Sequence, residues 1–563
     1  MRYLELAKVY EKLETTASKL EKASIVAKLF SGSGDSLAQV VMLSNGRVFP
    51  DYEATELGIA TKLVTKAISK AVGISEEKVE AKFTAIGDLG LAVEYFASDK
   101  KQGTLGKENL TVDKVFRTFR EMAKQSGSGS QERKLSLISS LITSATPLEA
   151  KYIIRTLLGQ LRVGIAEGVI RDAIARAFNV NSNSVENAWN IKSDFSEIAV
   201  VAKKHGEEGL KRIKLELGKS VQVLLAEKAP DLKTALESFD NPAVEWKMDG
   251  MRSQMHKKGS KVWIYTRRLE NVTRQFPDLV KLVLESVKSD GCIIEGEIIA
   301  VDAKTREPRP FQVLSQRIQR KHEIDRMVRE IPIQANIFDI VYADGEQLFD
   351  KPLKDRRKVL EAIIKPVKGK LQVIDQLVTK DLKKAEKYYS DALKAHQEGV
   401  MIKNLDAVYV PGRSVAGGWL KVKPVMENLD LAIIGATWGT GKRSGWLTSY
   451  VLAVRDPDTN RFLECGMMST GIKEKKDDPT DVTYEDMTKM IKPLIEREEN
   501  GIVRVRPKIV IEVRYEEIQK SSNYSSGFGL RFPRFFRIRS EKSEKECETL
   551  ERMQTLYEMQ KMN

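Results

Sequence analysis

The spacing of apolar residues predicts different structures in successive parts of the chain. In the N-terminal third, apolar residues recur every three or four positions, as at Leu4, Ala7 and Leu13, which indicates helices with one buried face. The same period returns over residues 135–178. We therefore expect an all-α domain over residues 1–216.

Beyond this helical domain the pattern changes to short runs of alternating apolar and polar residues. Their β-branched content predicts strands, and helical stretches such as Leu279–Val287 separate some of them. This mixture predicts an α+β domain with a largely antiparallel sheet over residues 217–424. In residues 425–563 the strands follow one another at short spacing, which is typical of a small β-barrel, and an OB-fold is one candidate. The sequence thus predicts a multidomain protein.

Composition narrows the class of protein. Of 563 residues, 93 are Lys or Arg and 79 are Asp or Glu, giving a formal net charge of +14, and 42% are hydrophobic. This apolar fraction excludes a wholly disordered chain. No run approaches the roughly 20 apolar residues that cross a bilayer, and the N-terminus lacks the apolar core of a signal peptide. Three widely spaced cysteines favour neither a disulfide framework nor a cysteine zinc site. We expect a cytoplasmic protein.

The segment with the clearest chemistry is Val-Glu-Trp-Lys-Met-Asp-Gly-Met-Arg at residues 244–252. On a strand, Glu245, Lys247 and Asp249 would share one face. A lysine between two carboxylates, followed by a glycine turn and Arg252, suits an amine that attacks an electrophile once its surroundings have lowered its pKa. A solvated face of an edge strand has the same pattern, so this segment alone leaves both interpretations open.

Further charged residues lie on strands that are otherwise apolar. Glu295 and Glu297 share one face of such a strand, and buried acids require a cation. Glu297 and Glu398 offer the hard oxygen ligands that suit Mg²⁺. The basic residues of these segments suit phosphate oxygens. These are Arg252, Arg267, Lys403, Lys421 and Lys423. Together the segments predict a metal-assisted phosphate site.

The order of these segments resembles that of a known family. Lys-Met-Asp-Gly at residues 247–250 is similar to the KxDG nucleophile motif of the covalent nucleotidyltransferases. The later segments resemble the further motifs of ATP-dependent DNA ligases. These segments are residues 266–273, 295–297, 338–342, 398–404, 419–423 and 530–542. Residues 149–178 resemble the DNA-binding domain of the archaeal and eukaryotic replicative ligases, and the compact chain is similar to the archaeal ones.

This resemblance implies a reaction in three steps. Lys247 attacks the α-phosphate of ATP, pyrophosphate leaves, and the lysine carries AMP. AMP then passes to the 5′-phosphate at a nick in duplex DNA, and the 3′-hydroxyl displaces it to seal the strand. Because each step is a displacement at phosphorus, positioning and charge neutralisation dominate the catalysis. Enzymes of this kind act in DNA replication, repair, recombination and cell division, so a nucleoid-associated protein is implied.

The resemblance also assigns roles to individual residues. Glu297 and Glu398 hold Mg²⁺, with Mn²⁺ as an alternative, and Phe338 stacks on adenine. The ATP pocket is lined by Glu245, Arg252, Arg267, Glu297, Phe338, Arg413, Lys421 and Lys423. Further motif residues are Asp249, Lys403, Arg531, Arg537, Arg539 and Lys542. In the family the C-terminal segment that carries the last four closes over ATP and orients the departing pyrophosphate.

The candidate DNA contact is a loop with Gly159, Arg162 and Gly164. Glycines on both sides of an arginine permit close approach to phosphates, and the resemblance implies that the loop lies in the minor groove beside the nick. An ordinary turn between helices is the alternative. The resemblance also implies a sliding clamp as a partner, but the docking peptide expected near residues 100–105 lacks its aromatic anchors. We expect a monomer.

Three other functions remain open at this stage. An RNA ligase shares the lysine chemistry but would not need the long helical domain. An mRNA-capping guanylyltransferase shares the motifs but takes GTP. A protein that only binds nicks would need neither Lys247 nor Glu297, so the intact acids and lysines favour a ligase.

Overall fold

The computed structural model describes residues 1–50, 52–53, 55, 57–99, 109–320, 322–413, 418–424, 426–439, 443–479, 481–499 and 501–562. The chain divides into two compact units, Met1–Val422 and Lys423–Asn563. The first unit contains the helical region and the α+β region, and the second contains the strand-rich C-terminal region. The residues expected to dock a sliding clamp, 100–105, lie outside the described part.

The N-terminal region of the first unit is helical, as the apolar spacing predicts. In chain order the helices are α1 (Tyr3–Thr15), α2 (Lys19–Ser31), α3 (Leu37–Ser44), α4 (Thr61–Val72), α5 (Glu76–Ile86), α6 (Leu89–Ser98), α7 (Val112–Lys124), α8 (Ser130–Ser144), α9 (Pro147–Leu157), α10 (Glu167–Phe178), α11 (Ser182–Lys192) and α12 (Phe195–Lys211). Their apolar faces share one core. Helix α9 begins with a capping box, in which Thr146 and Glu149 satisfy each other's backbone N–H groups.

Two sheets form the α+β region. Its elements are β1 (Leu224–Leu225), β2 (Glu227–Lys228), α13 (Leu232–Glu237), β3 (Pro242–Lys247), β4 (Met251–Lys258), β5 (Lys261–Thr266), α14 (Pro277–Ser286), β6 (Gly291–Val301), β7 (Pro308–Arg309), α15 (Phe311–Ile318), α16 (Ile324–Glu330), β8 (Ile333–Ala343), β9 (Glu346–Gln347), α17 (Leu353–Ile363), β10 (Leu371–Val373), β11 (Gln376–Val378), α18 (Leu382–Lys394), β12 (Gly399–Asn404), β13 (Gly412–Arg413) and β14 (Trp419–Val422). One sheet has the order β11-β3-β12-β14-β2, and the other has the order β10-β8-β6-β4-β5 with β7 beside β6 and β9 beside β8. Most pairs are antiparallel, as predicted; β2–β14, β8–β10 and the separate pair β1–β13 are parallel.

The two faces of the five-stranded sheet differ in chemistry. Val244, Val400 and Ile402 lie in an apolar cluster with residues of α13 and α18. The opposite face carries charged side chains and faces the second sheet, since the Lys403 ammonium lies 4.6 Å from the centre of the Phe338 ring on β8. The space between the sheets is therefore where Glu245, Arg252 and Lys403 meet.

The second unit is rich in strands. Its elements are β15 (Leu429–Trp438), β16 (Leu447–Arg455), β17 (Phe462–Met468), α19 (Tyr484–Ile491), β18 (Ile495–Glu499), β19 (Ile502–Val505), β20 (Val510–Arg514), β21 (Glu517–Lys520), β22 (Phe528–Arg531), β23 (Arg534–Ile538) and α20 (Leu550–Met562). Strand β15 pairs with β16, β19 and β20, and β20 also pairs with β23. None of the helices in the described part of the chain is long and apolar enough to cross a membrane.

Candidate active site

Lys247 ends strand β3, where the chain leaves one sheet for the other. Gly399 of β12 pairs with Lys247, and the backbone N–H of the preceding Glu398 donates to the Lys247 carbonyl at 2.9 Å. The side chains of Lys247 and Glu398 form an ion pair. Because β3 stops at Lys247, Asp249 lies in the turn, and the prediction that Asp249 continues the same strand face is wrong.

The turn that follows Lys247 requires glycine at position 250. A Cβ atom on Gly250 would clash with the carbonyl of Ile298 on β6 and would lie 2.9 Å from the Ile299 side chain. Asp249 holds the turn from its other side, because its carboxylate accepts from the backbone N–H of Phe311 at 3.0 Å. The Asp-Gly pair thus fixes the backbone that carries the lysine.

Glu245 is buried on the charged face of the five-stranded sheet. Its Oε2 lies 2.5 Å from the Lys403 ammonium, and its Oε1 accepts from the Gln376 side chain at 2.8 Å. Both partners face Glu245 because the register aligns β11, β3 and β12 side by side. Burial lowers the pKa of Lys403 although the Glu245 carboxylate opposes this effect.

The facing sheet supplies a second buried ion pair. Arg252 on β4 pairs with Glu297 in the strand register, and its guanidinium donates to Glu295 at 2.9 Å. The hydroxyl of Tyr409 donates to the same Glu295 oxygen, also at 2.9 Å. The prediction that the buried acids of this strand meet a cation is therefore confirmed for Glu295.

An aromatic pair lies beside these cations. Phe338 and Trp419 are both buried, with ring centres 5.7 Å apart in an edge-to-face arrangement. The Arg252 guanidinium lies 5.4 Å from the Phe338 ring and 5.3 Å from the Trp419 ring. Lys403 lies 4.2 Å from the Trp419 ring. These buried side chains therefore place flat apolar surfaces next to cations, a combination that suits a nucleotide base and its phosphates.

Two carboxylates near Lys247 fit a magnesium ion. Burial raises the pKa of Glu297 to about 7, although Lys247 and Arg252 act against the rise and Glu398 contributes to it. Glu398 thus lies close enough to Glu297 to act on its charge, and carboxylate oxygens are ligands of the type that Mg²⁺ prefers. No group of three or more Asp, Glu, His or Cys side chains in the described residues could hold a metal ion. Two carboxylates fit Mg²⁺, since it usually takes one or two of them together with substrate phosphates.

The other predicted pocket residues lie in the turn after β5, on β13, on β14 and directly after β14. Arg267 is exposed in the turn after β5. Arg413 pairs through its backbone with Leu225, and its side chain lies outside the described part. Lys421 is partly exposed on β14, beside Met401. Lys423 follows the end of that strand, so it belongs to the second unit, where its ammonium donates to Glu516 at 3.1 Å.

Comparisons with known proteins agree across the chain. The family model "DNA ligase N terminus" matches residues 2–175, "ATP dependent DNA ligase domain" matches residues 223–423, and "ATP dependent DNA ligase C terminal region" matches residues 443–542. A DNA ligase of Nanoarchaeum equitans is 47% identical over 100% of this chain and 99% of its own length. The chain belongs to the ATP-dependent DNA ligases.

Other relatives extend this result. A DNA ligase of Thermococcus onnurineus is 45% identical over 100% of this ligase and 98% of its own length. The solved structure named "Pmar-Lig_PreS3" shares the fold, with a TM-score of 0.56, 16% identity, and coverage of 95% of this chain and 99% of its own. The family seals nicks in DNA with ATP, so the predicted function is confirmed. The ligase has a helical N-terminal region, a nucleotidyltransferase middle domain and a strand-rich C-terminal domain.

The basic residues of the C-terminal motif are ion-paired within the second unit. Arg531 donates to Glu517 at 3.1 Å. Arg537, Arg539 and Lys542 all contact one pair of acids. These acids are Asp430 and Glu512. Strand β23 ends at Ile538, so Arg537 lies on the strand and Arg539 follows it.

The predicted DNA-contacting loop connects α9 and α10. Gly159, Arg162 and Gly164 all have positive φ, between 58° and 66°. Arg162 donates to Asp88 at 3.0 Å and keeps 27% of its side chain exposed. On the other side of the loop the Lys22 ammonium donates to the Val163 carbonyl at 2.7 Å. The loop is thus held by charged groups, with Arg162 partly at the surface.

Sequence reasoning did not single out several residues of these sites. Trp419 and Tyr409 gave no chemical signal of their own. Such a signal was present for three acids, because an acid within an apolar strand or directly before a helix needs a partner. These acids are Asp88, Asp430 and Glu512. All three are recognisable from the sequence in the same way as Glu295.

Proposed function

We propose that the ligase works through covalent catalysis by Lys247. Once its proton has left, the Lys247 amine attacks the α-phosphorus of ATP; the new N–P bond forms as the P–O bond to pyrophosphate breaks. AMP is then transferred to the 5′-phosphate at the nick, and the 3′-hydroxyl displaces it. The observation that carries this proposal is the placement of Lys247 at a strand end, paired with Glu398 in the region of aromatic and cationic side chains between the two sheets.

We infer that ATP binds at this group of aromatic and cationic side chains. Phe338 provides a face for adenine, since an aromatic ring beside cations suits a base that carries phosphates. The residues proposed to line the pocket are Glu245, Arg252, Arg267, Glu297, Phe338, Arg413, Lys421 and Lys423. Lys403 also faces the pocket, and Asp249 fixes the turn that carries Lys247.

Glu297 and Glu398 are the proposed holders of Mg²⁺, with Mn²⁺ as an alternative. When bound, the metal ion neutralises phosphate charge and polarises the phosphorus that is attacked. The chain's own contribution is to keep both carboxylates next to Lys247. The main-chain bond between Glu398 and Lys247 supports this role.

The C-terminal motif residues Arg531, Arg537, Arg539 and Lys542 are proposed to bind the leaving phosphates. The loop of Gly159, Arg162 and Gly164 is proposed to contact DNA phosphates. We further propose an all-α DNA-binding domain over residues 1–216, an adenylation domain over 217–424 and an OB-fold over 425–563. The ligase would act as a cytoplasmic, nucleoid-associated monomer, and a sliding clamp is retained as a partner by family resemblance alone.

The proposal is tested by sealing assays on matched substrates. A nicked DNA duplex and the same nick in RNA are each incubated with Mg²⁺ and either ATP or GTP. We expect sealing of the DNA nick with ATP and none after Mg²⁺ is removed with EDTA. Preferred sealing of RNA would indicate an RNA ligase, and covalent labelling by GTP alone would indicate guanylyl transfer.

A further inference from the structure

Two acids lie opposite each other in the sheet of the second unit. Asp430 on β15 pairs directly with Glu512 on β20, and both strands are otherwise largely apolar. The Asp430 side chain is 9% exposed and that of Glu512 is 11% exposed. Like charges opposite each other destabilise a sheet, and a buried carboxylate without a cation is costly. This pair therefore requires cations.

The cations are those of the C-terminal motif. Arg539 donates through one nitrogen to both Asp430 oxygens at 2.8 Å, and the same nitrogen lies 3.4 Å from Glu512. Lys542 donates to Asp430 at 2.6 Å, and Arg537 donates through Nε to Glu512 at 2.5 Å. Burial acts to raise the pKa of Glu512, but a hydrogen bond from Asn428 and the nearby Arg537 and Arg539 hold it below its usual value. Two buried carboxylates thus bind three basic side chains, and Arg539 also donates to Glu541 at 2.6 Å.

The acids orient Arg537 and Lys542 without covering them. Arg537 is 56% exposed. In the described part of the chain its contact with Glu512 uses only Nε. Both terminal nitrogens of the guanidinium therefore remain as donors to another anion. Lys542 is 29% exposed. Three cations brought together without anions between them would repel one another. The carboxylates therefore allow a cluster of phosphate donors to exist before any phosphate arrives.

We propose that Asp430 and Glu512 are positioning residues for the adenylation of Lys247, because they hold Arg537, Arg539 and Lys542 in the arrangement that receives the departing pyrophosphate. This inference rests on the proposed function of the C-terminal motif. Donors that are fixed in advance cost no reorganisation when charge develops on the leaving group. Pyrophosphate leaves only in the first step, so the effect of the pair is confined to that step.

The step-specific role gives a direct test. Asp430→Asn and Glu512→Gln are each compared with wild type for the rate of enzyme–AMP formation from ATP. The same preparations, freed of AMP, are assayed for sealing of a nick that already carries a 5′-adenylate. We expect adenylation to slow roughly tenfold or more, because a charge-assisted contact is lost, while sealing stays within about twofold of wild type. Asp430→Glu should restore part of the adenylation rate.

Glu464→Gln is the matched control. It removes another carboxylate of the same unit, which pairs with Arg504 at 2.6 Å, and should change neither step. Equal slowing of both steps in Asp430→Asn and Glu512→Gln would overturn the proposal and assign the pair to stability alone. Unchanged adenylation in both variants would also overturn it. These outcomes differ from the result expected if Lys247 is not the nucleophile. In that case wild type itself would form no adduct on Lys247.

Discussion

Lys247 and Glu398 are joined both through the backbone and through their side chains. The Glu398 N–H donates to the Lys247 carbonyl at 2.9 Å, and the carboxylate and the ammonium form an ion pair. The distance between the proposed nucleophile and a proposed metal ligand is thus set by pairing between β3 and β12. Displacement at phosphorus depends on such fixed geometry.

Glu398→Gln should weaken the use of Mg²⁺ in adenylation. Loss of one anionic ligand should raise the Mg²⁺ concentration for half-maximal adenylation by roughly tenfold or more. The measurement is the initial rate of enzyme–AMP formation across a Mg²⁺ titration. Glu285→Gln, which removes an exposed acid of α14, should leave the titration unchanged. An unaltered titration in Glu398→Gln would remove this residue from the metal site.

Gly250→Ala should disturb the turn after Lys247. The added Cβ would press on the Ile298 carbonyl, and displacing the lysine by about 1 Å can cost roughly 100-fold in rate. Gly168→Ala is the control, because nothing lies within 4 Å of a Cβ built at that position. Adenylation rates of both variants test this, and a Gly250→Ala enzyme as fast as the control would contradict the steric account.

His256 should make the folded protein less stable in acid. Its Nδ1 accepts from the Gly218 N–H at 3.2 Å, its Nε2 lies 2.9 Å from the Gln254 carbonyl oxygen, and burial lowers its pKa to about 3. The unfolded chain binds this proton near pH 6.5 and the folded chain does not. The free energy of unfolding therefore decreases as the pH is lowered from about 6.5 to about 3. This group contributes about 1.4 kcal/mol per pH unit to that decrease.

The check on His256 is the unfolding midpoint from pH 7 to pH 5. His256→Gln should flatten the decline, whereas His205→Gln, at an exposed position, should retain it. An equally steep decline in His256→Gln would show that other groups cause the acid sensitivity.

Arg162→Ala should weaken binding to nicked DNA. If Arg162 neutralises one phosphate, its loss should lower the slope of log affinity against log salt by about 1. Binding titrations over a salt series measure both quantities. Arg117→Ala, in which an arginine 79% exposed on α7 is removed, is the matched control. The same affinity and slope in Arg162→Ala as in wild type would exclude the phosphate contact.

The sequence predicts the chemistry of the site better than its geometry. Alternation of residues placed Glu245 and Lys247 on one strand face, and the cost of a buried acid predicted the cation beside Glu295. Alternation cannot reveal where a strand ends. Strand β3 stops at Lys247 because the chain must cross to the other sheet, and this moved Asp249 into the turn.

Pairings between residues far apart in the chain could not be predicted, because they depend on which strands become neighbours in the fold. Asp430 and Glu512 meet because β15 and β20 pair, and this register is set by packing of the whole sheet. Lys423 likewise follows the end of β14, and its contact with Glu516 is made within the second unit. The local sequence pattern identifies candidate residues, whereas the pairing of strands in the fold determines which residues they contact.

Lys247 is expected to become covalently adenylated. Incubation with α-labelled ATP and Mg²⁺, followed by denaturing electrophoresis and peptide mapping, measures this directly. We expect an acid-labile AMP adduct on Lys247 that is absent in Lys247→Ala and retained in Lys258→Ala, in which an exposed lysine of β4 is replaced. A Lys247→Ala protein that still forms the adduct, or a folded wild-type protein not already adenylated that forms none, would contradict it.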